Sequence, residues 1–170
     1  ALQLATHGKY SAHPNPMVGC VLVNNASVVG EGWHERAGEP HAEIIALRAA
    51  GDKAKGATAY VSLEPCAHQG KTPPCAEALI EAGVSRVVAA MEDPFDEVKG
   101  RGLEMLQQAG IEVQAGLMRD VAEALNEGFI SRVTQGRPLV RLKIAASIDG
   151  ATAMESGESQ WITGPEARHD

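Results

Sequence analysis

The residues whose types suggest chemistry are one histidine, one glutamate and two cysteines. His41 and Glu43 stand one residue apart in the stretch Pro-His-Ala-Glu, and Cys66 and Cys75 each follow a proline. One imidazole and two thiolates make a zinc-ligand set that leaves a fourth position open for water. Because zinc lowers the pKa of bound water to about 7, the pattern predicts a hydrolytic zinc centre.

Glu43 is predicted to act on the water rather than on the metal. Residues i and i+2 of a helix do not face each other, so His41 and Glu43 make a poor chelating pair. A carboxylate beside the metal would instead take a proton from the water and pass it to a leaving amine. Taken singly, His41 could be a surface or capping histidine and Glu43 a favourable first-turn acid. The combination with two Pro-Cys pairs favours the pattern of zinc deaminases, in which the glutamate is the acid/base.

Helix and strand signals alternate along the chain, which predicts an α/β domain with helices on both faces of the sheet. The predicted strands are 18–23, 27–33, 58–63, 86–91 and 111–114, and the predicted helices are 41–50, 75–82, 103–109 and 119–126. The first two strands are expected to form a hairpin, and the later ones to run largely parallel because helices separate them. His41 and Cys75 then open helices, where the dipole favours a thiolate, and Cys66 follows a strand.

Composition argues against several classes of function. The chain has 15 Lys and Arg against 22 Asp and Glu, and the net charge of −7 disfavours a general nucleic-acid binder. No apolar run reaches about 18 residues, so no membrane span is expected. The three cysteines and the lack of a visible signal peptide favour reduced thiols and a cytoplasmic location. Cys20 lies in an apolar run and is expected to be a small core residue.

A change of composition near 134–138 predicts a domain boundary. We expect residues 1–136 to form the zinc-binding domain. Residues 137–170 are expected to open a second, incomplete domain, because a segment of about 34 residues cannot build a core of its own. Alternating apolar residues over 139–147 predict a strand that runs into the turn Asp149-Gly150, and a helix is expected after Pro165.

At the histidine, glutamate and cysteine motifs the sequence resembles the zinc-dependent cytidine-deaminase superfamily. Eight residues separate Cys66 from Cys75, where the common member has two. That spacing, with the stretch 32–43 and the loops 13–19 and 91–102, resembles the riboflavin-biosynthesis branch, in which a pyrimidine deaminase is joined to a pyrimidine reductase. The resemblance covers essentially all of the chain. It implies a three-layer α/β/α domain with a mixed five-stranded sheet, followed by the first strand and turn of a dihydrofolate-reductase-like domain.

The resemblance also implies a reaction, the hydrolytic deamination of 2,5-diamino-6-ribosylamino-4(3H)-pyrimidinone 5′-phosphate. Zinc-bound hydroxide would attack the ring carbon that carries the 2-amino group, and Glu43 would protonate the departing nitrogen, so that ammonia leaves. The implied zinc ligands are His41, Cys66 and Cys75. The implied substrate contacts are Asn15, His34, His68, Lys71 and Asp93. Branch members often have Asn where Phe95 stands in this chain.

For the second domain the resemblance implies an NADPH-dependent reductase. Ala145 and Trp161 would lie near NADPH, and Ser159 would lie near that domain's substrate. The rest of the cofactor site is absent from these residues, so we do not expect the chain to reduce a substrate. The resemblance implies that the ligand is a small phosphorylated pyrimidine, and by analogy with the superfamily we expect a homo-oligomer. The acidic charge balance and the lack of a long apolar run argue against nucleic-acid and membrane partners.

Two other functions remain open from the residues alone. The same zinc chemistry could act on a nucleoside or on an RNA base, although the acidic balance and the long loop with Lys71 argue against RNA. A zinc-stabilised binding or scaffold domain would need a fourth protein ligand to close the metal site.

Overall fold

The computed structural model describes residues 1–68, 73–95, 98–159 and 161–169. Contacts divide the chain into two compact units, Ala1–Leu139 and Val140–Asp170. Within the described residues, the first unit contains the whole sheet and the second contains one short helix. No helix in these ranges is long and apolar enough to cross a membrane.

In its described residues, the first unit is built around a five-stranded sheet with the order β2-β1-β3-β4-β5. The strands are β1 (Gly19–Asn24), β2 (Ser27–Trp33), β3 (Thr58–Val61), β4 (Arg86–Ala89) and β5 (Glu112–Ala115). Strand β1 is antiparallel to both β2 and β3, whereas β3, β4 and β5 run parallel. The predicted hairpin, the parallel later strands and the mixed sheet are therefore confirmed.

The α-helices of the described residues lie before, between and after these strands. They are α1 (Leu2–Ala5), α2 (Ala42–Ala50), α3 (Cys75–Glu81), α4 (Arg101–Gln108), α5 (Arg119–Leu125), α6 (Glu127–Gln135) and α7 (Pro165–His169). Helix α6 was not expected, because Gly128 and the β-branched residues that follow it are poor helix formers. It forms because Ile130 packs against a buried apolar cluster of the first unit. Helix α7 confirms the helix that was expected after Pro165.

Helix α2 lies directly against β2 because glycines stand where the helix crosses the strand. A Cβ on Gly30 would lie 2.2 Å from the carbonyl oxygen of Ala46, and a Cβ on Gly32 would lie 2.5 Å from that of Ala42. Without these side chains the two backbones can approach closely. The helix that carries the candidate catalytic residues is thus held at short distance from the sheet.

Two apolar clusters stabilise the unit. The larger one joins α2, α3 and α4 to the sheet, and its members include Cys20, Leu22, Ala46, Leu79 and Leu106. The smaller one joins the loops after β3 and β4 to α1, α5 and α6 through Leu63, Met91, Ala122, Leu2 and Ile130. Cys20 is fully buried, so its prediction as a core residue is confirmed.

Residues 139–147 have no regular structure, so the prediction of a strand there is wrong. A strand requires a partner for its backbone groups, and the described part of the second unit offers none. The apolar side chains of Leu142 and Ile144 consequently remain 82% and 64% exposed. The expected turn is present, since the N–H of Gly150 donates to the carbonyl of Ser147 at 2.9 Å.

Candidate active site

One edge of the sheet gathers the predicted site residues. The carboxyl ends of the parallel strands β3 and β4 meet there, and β1 begins there because it is antiparallel to β3. The residues just outside these strand ends are Asn15 before β1, His34 after β2, Cys66 after β3 and Asp93 after β4. Helices α2 and α3 begin close together, because the side chain of His41 at the start of α2 contacts that of Cys75 at the start of α3.

His41, Cys66 and Cys75 lie together at the starts of α2 and α3. His41 Nδ1 is 3.2 Å from Cys75 Sγ and 3.6 Å from Cys66 Sγ, and the three potential ligand atoms lie within 4.8 Å of one another. Tetrahedral zinc would separate a nitrogen ligand from a sulfur ligand by about 3.5 Å. The spacing and the soft donor set therefore fit zinc.

Cys66 is hydrogen-bonded to the first two residues of α3. The Cys75 N–H donates to Cys66 Sγ at 3.3 Å, and the Ala76 N–H donates to the Cys66 carbonyl at 3.1 Å. Hydrogen bonding from Cys75 lowers the pKa of the Cys66 thiol to about 4, and the same contact raises the pKa of Cys75. The hydrogen bond to Cys66 also raises the pKa of His41. One thiolate is therefore favoured at neutral pH, as a metal ligand requires.

Glu43 lies in the first turn of α2 and is only 3% exposed. Its Oε2 atom is buried and has no hydrogen-bond partner among the described residues. A buried oxygen of this kind is costly unless a ligand or water contacts it. Burial raises the pKa of Glu43 to about 7, which suits a group that takes and returns a proton at neutral pH.

A cavity of about 250 Å³ opens beside the His-Cys-Cys cluster. Four of the five predicted substrate contacts line it together with Glu43, namely Asn15, His34, His68 and Asp93. His68 is exposed, whereas His34 and Asp93 are buried. The fifth, Lys71, lies outside the described residues.

Asn15 and His34 form one hydrogen-bonded pair on the cavity wall. Asn15 Nδ2 lies 3.0 Å from His34 Nε2, and His34 Nδ1 lies 3.2 Å from the Pro40 carbonyl oxygen. Because a carbonyl only accepts, Nδ1 carries the ring proton and Nε2 accepts from Asn15. Burial lowers the pKa of His34, which keeps the ring neutral. No donor to the Asn15 Oδ1 atom is found among the described residues, so this atom can accept a hydrogen bond from a ligand.

Asp93 and Phe95 form another part of the wall. Burial raises the pKa of Asp93 to about 6, and its Oδ1 accepts the Phe95 N–H at 2.8 Å. Phe95 is 37% exposed and lines the cavity. Members of the riboflavin-biosynthesis branch that the sequence resembles often have Asn at this position. The Phe95 ring offers an apolar surface to a planar ligand.

Phe129 and Glu64 line the cavity, although the sequence analysis did not single them out. Phe129 reaches it from α6, and no local motif marks that position. Glu64 lines it as well, although it is only 3% exposed. An acid between the apolar Leu63 and Pro65, directly after a strand, was a signal that could have identified a buried carboxylate.

In the second unit, Ser159 and Trp161 line a cavity of about 490 Å³, and Ala145 is not among its lining residues. Trp161 is 69% exposed, and the Arg168 guanidinium lies 4.3 Å from the centre of its ring. The structure thus brings two of the three residues predicted near the reductase ligands to one cavity.

Comparison with protein families gives two matches along the chain. Residues 1–91 match the cytidine and deoxycytidylate deaminase zinc-binding region, and residues 138–170 match the RibD C-terminal domain. His41, Cys66 and Cys75 all lie in the first match, so the prediction of a zinc-binding deaminase domain is confirmed.

Individual relatives agree with these matches. The chain is 64% identical over its 170 residues to the riboflavin biosynthesis protein RibD of Escherichia coli (strain K12), of which it covers 46%. Among solved structures, Acinetobacter baumannii RibD, form 1, is 57% identical with a TM-score of 0.92, over 99% of this chain and 47% of that one. A diaminohydroxyphosphoribosylaminopyrimidine deaminase/5-amino-6-(5-phosphoribosylamino)uracil reductase from Thermotoga maritima is 42% identical with a TM-score of 0.94, over 99% and 50%. The chain therefore spans about half the length of the relatives it matches.

Proposed function

Because the chain belongs to the cytidine and deoxycytidylate deaminase family, in the branch of the RibD riboflavin biosynthesis proteins, we propose that it deaminates the phosphorylated pyrimidine of that pathway. The proposed substrate is 2,5-diamino-6-ribosylamino-4(3H)-pyrimidinone 5′-phosphate. Water replaces its 2-amino group, and ammonia is released. The observation that carries the proposal is the buried Oε2 of Glu43, which has no hydrogen-bond partner among the described residues and lines a cavity beside the His-Cys-Cys cluster.

The protein side chains divide the proposed reaction between them. His41, Cys66 and Cys75 would hold zinc, which would supply an activated water at neutral pH. Glu43 accepts a proton at Oε2 and returns it to the departing amine nitrogen. Its pKa of about 7 supports both transfers, since neither protonation state is strongly favoured at neutral pH.

Substrate orientation is assigned to the other polar groups of the cavity. Asn15 would accept an N–H group of the pyrimidine at Oδ1, and His34 would hold the Asn15 amide in that orientation. Asp93 would bind a second polar edge of the substrate. His68 is exposed, which suits contact with the ribose phosphate, and we keep Lys71 as a further phosphate contact on the resemblance alone.

The remaining assignments extend the same proposal to the whole protein. Residues 137–170 would begin an NADPH-dependent reductase that acts on the ribosylamino product, with Ala145 and Trp161 near NADPH and Ser159 near its substrate.

The two thiol ligands need a reducing setting, which supports a cytoplasmic location. We further propose a homo-oligomer without nucleic-acid or membrane partners, on analogy with the family and on the net charge of −7.

The test is ammonia release by the purified, zinc-loaded chain, offered the phosphorylated diaminopyrimidine or cytidine in separate assays. We expect turnover of the pyrimidine only, and we expect Glu43→Gln to lower it by about 10²- to 10⁴-fold while zinc is retained. The exposed Glu35→Gln serves as the matched control and should behave like the parent chain. Turnover of cytidine alone would favour the nucleoside deaminase, and zinc binding without any turnover would favour the scaffold domain.

A further inference from the structure

Glu64 is a buried acid that the proposed reaction does not use. It is 3% exposed and lies two positions before the candidate ligand Cys66. Among the described residues, its carboxylate accepts hydrogen bonds from four backbone N–H groups and from no side chain. Oε2 accepts from Asp93 at 3.0 Å and from Gly100 at 2.9 Å. Oε1 accepts from Gly102 at 2.9 Å and from Leu103 at 3.4 Å.

The four donors belong to one stretch of chain, which leads from the end of β4 into the first turn of α4. A single carboxylate therefore binds both ends of this segment, whose described residues, 93–95 and 98–103, we call the 93–103 loop. Hydrogen bonds to an ionised acceptor are about twice as strong as those between neutral groups. The Glu64 side chain thus holds the backbone both at Asp93, which follows β4, and at the first turn of α4.

Backbone contacts bring the same two segments together independently of the carboxylate. The Glu64 N–H donates to the Met91 carbonyl at 3.0 Å. A Cβ on Gly102 would lie 1.8 Å from the Pro65 carbonyl oxygen, so α4 begins in direct contact with the Glu64-Pro65 backbone. The 93–103 loop and the segment that leads to Cys66 therefore form one packed assembly.

The 93–103 loop carries one wall of the candidate active site. Asp93, Phe95 and Val98 all line the cavity. Within the loop, Asp93 Oδ1 accepts the Phe95 N–H at 2.8 Å, and the Val98 N–H donates to the Phe95 carbonyl at 2.8 Å. Because Glu64 binds the backbone of Asp93 itself, a shift of the carboxylate would move this wall relative to Cys66.

We propose that Glu64 is a positioning residue. Its carboxylate holds the Asp93–Phe95 wall of the cavity at a set distance from the His-Cys-Cys cluster. It acts through backbone groups and touches no reacting atom. The inference rests on the proposed function for its kinetic consequence, but its structural consequence can be measured without a substrate. The expected effect is therefore on substrate binding rather than on zinc or on proton transfer.

The test compares Glu64→Gln with Glu104→Gln in the zinc-loaded 170-residue chain. Glutamine keeps the length of the side chain but turns an NH₂ group toward N–H donors, so that up to half of the contacts are lost. Glu104 is an exposed acid in the first turn of α4, so its variant removes the same charge near the same loop. We expect amide exchange at Asp93, Gly100, Gly102 and Leu103 to accelerate about tenfold or more in Glu64→Gln only.

Kinetics provide the second measurement. In Glu64→Gln we expect KM for the phosphorylated pyrimidine to rise about tenfold or more, with kcat within about threefold of the parent and zinc content unchanged. Gly102→Ala tests the same assembly from the other side, because its Cβ must push the start of α4 away from Pro65. We expect it to raise KM in the same way while the Glu64 carboxylate is intact.

Three results would overturn the assignment. The first is that Glu64→Gln has the same amide exchange and the same KM as the parent. The second is that its kcat and kcat/KM fall equally while KM stays constant. The third is that it loses zinc or the folded state. The last would assign Glu64 to the stability of the whole fold. If the parent chain itself releases no ammonia from the pyrimidine, the proposed function fails, and the exchange comparison alone decides whether Glu64 holds the loop.

Discussion

The Asn126 side chain forms two hydrogen bonds with the backbone of Met17, which lies 109 positions earlier. Its Oδ1 accepts the Met17 N–H at 2.8 Å, and its Nδ2 donates to the Met17 carbonyl at 3.0 Å. Asn126 is buried at the junction of α5 and α6. Its hydrogen bonds therefore hold the segment before β1, which carries Asn15, against the start of α6.

Asn126→Asp should weaken this connection, because the acid keeps the acceptor but loses the donor to the Met17 carbonyl. We expect the free energy of unfolding to fall by about 1–3 kcal/mol, as measured by denaturant titration. We also expect KM to rise more than kcat falls, since the loop carries Asn15. Gln107→Glu makes the same amide-to-acid change at an exposed position of α4 and should leave both quantities close to the parent. Equal stability of the two variants would show that the Met17 contacts contribute little.

Cys75→Ser should lower the zinc content well below about one per chain, because a serine hydroxyl is a much poorer zinc ligand than a thiolate. The measurement is metal analysis after dialysis against a weak chelator. Cys20→Ala is the matched control, since Cys20 is the buried cysteine of the core and is not part of the cluster. Zinc retained at parental affinity in Cys75→Ser would exclude Cys75 from the ligand set.

Gly32→Ala should displace α2, because the new Cβ would lie 2.5 Å from the Ala42 carbonyl oxygen. We expect the free energy of unfolding to fall by about 1–3 kcal/mol, with weaker zinc binding because His41 begins that helix. In Gly128→Ala the new Cβ would meet nothing within 4 Å, so this variant in α6 should be neutral or more stable by up to about 1 kcal/mol. Both quantities can be read from thermal unfolding with and without zinc. Parental stability of Gly32→Ala would contradict the close packing of α2 on β2.

Asp93→Asn should change how stability depends on pH. Burial raises the pKa of Asp93 from 3.8 to about 6, so its contribution to stability is present below pH 3.8 and is lost as pH rises through 6. The asparagine variant does not ionise, so it should gain stability over the parent between pH 4 and 7, by at most about 3 kcal/mol. Denaturant titrations at several pH values measure this difference, and the exposed Asp120→Asn is the control. A difference that stays constant with pH would show that Asp93 ionises normally.

Much of the fold could be predicted from local patterns. Strands β1, β3 and β4 follow stretches rich in apolar residues, and β2 and β5 mix apolar with polar residues next to turn signals. Their parallel or antiparallel pairing follows from whether a turn or a helix connects them. The predictions failed where structure depends on distant contacts. Helix α6 forms on a buried cluster despite poor propensity, and residues 139–147 form no strand because no partner strand lies beside them among the described residues of their unit.

The sequence alone determined the chemistry of the candidate site. Which side chains can bind zinc or move a proton depends on residue type, and His41, Glu43, Cys66 and Cys75 stand at helix starts and a strand end that are visible as local signals. Only the tertiary structure decided the shape of the cavity around them. The contacts of Glu64 with the 93–103 loop, the hydrogen bonds of Asn126 to Met17 and the place of Phe129 in the wall all join segments far apart in the chain. No local pattern contains such pairs, because long-range contacts form only where packing of the whole unit brings two segments together.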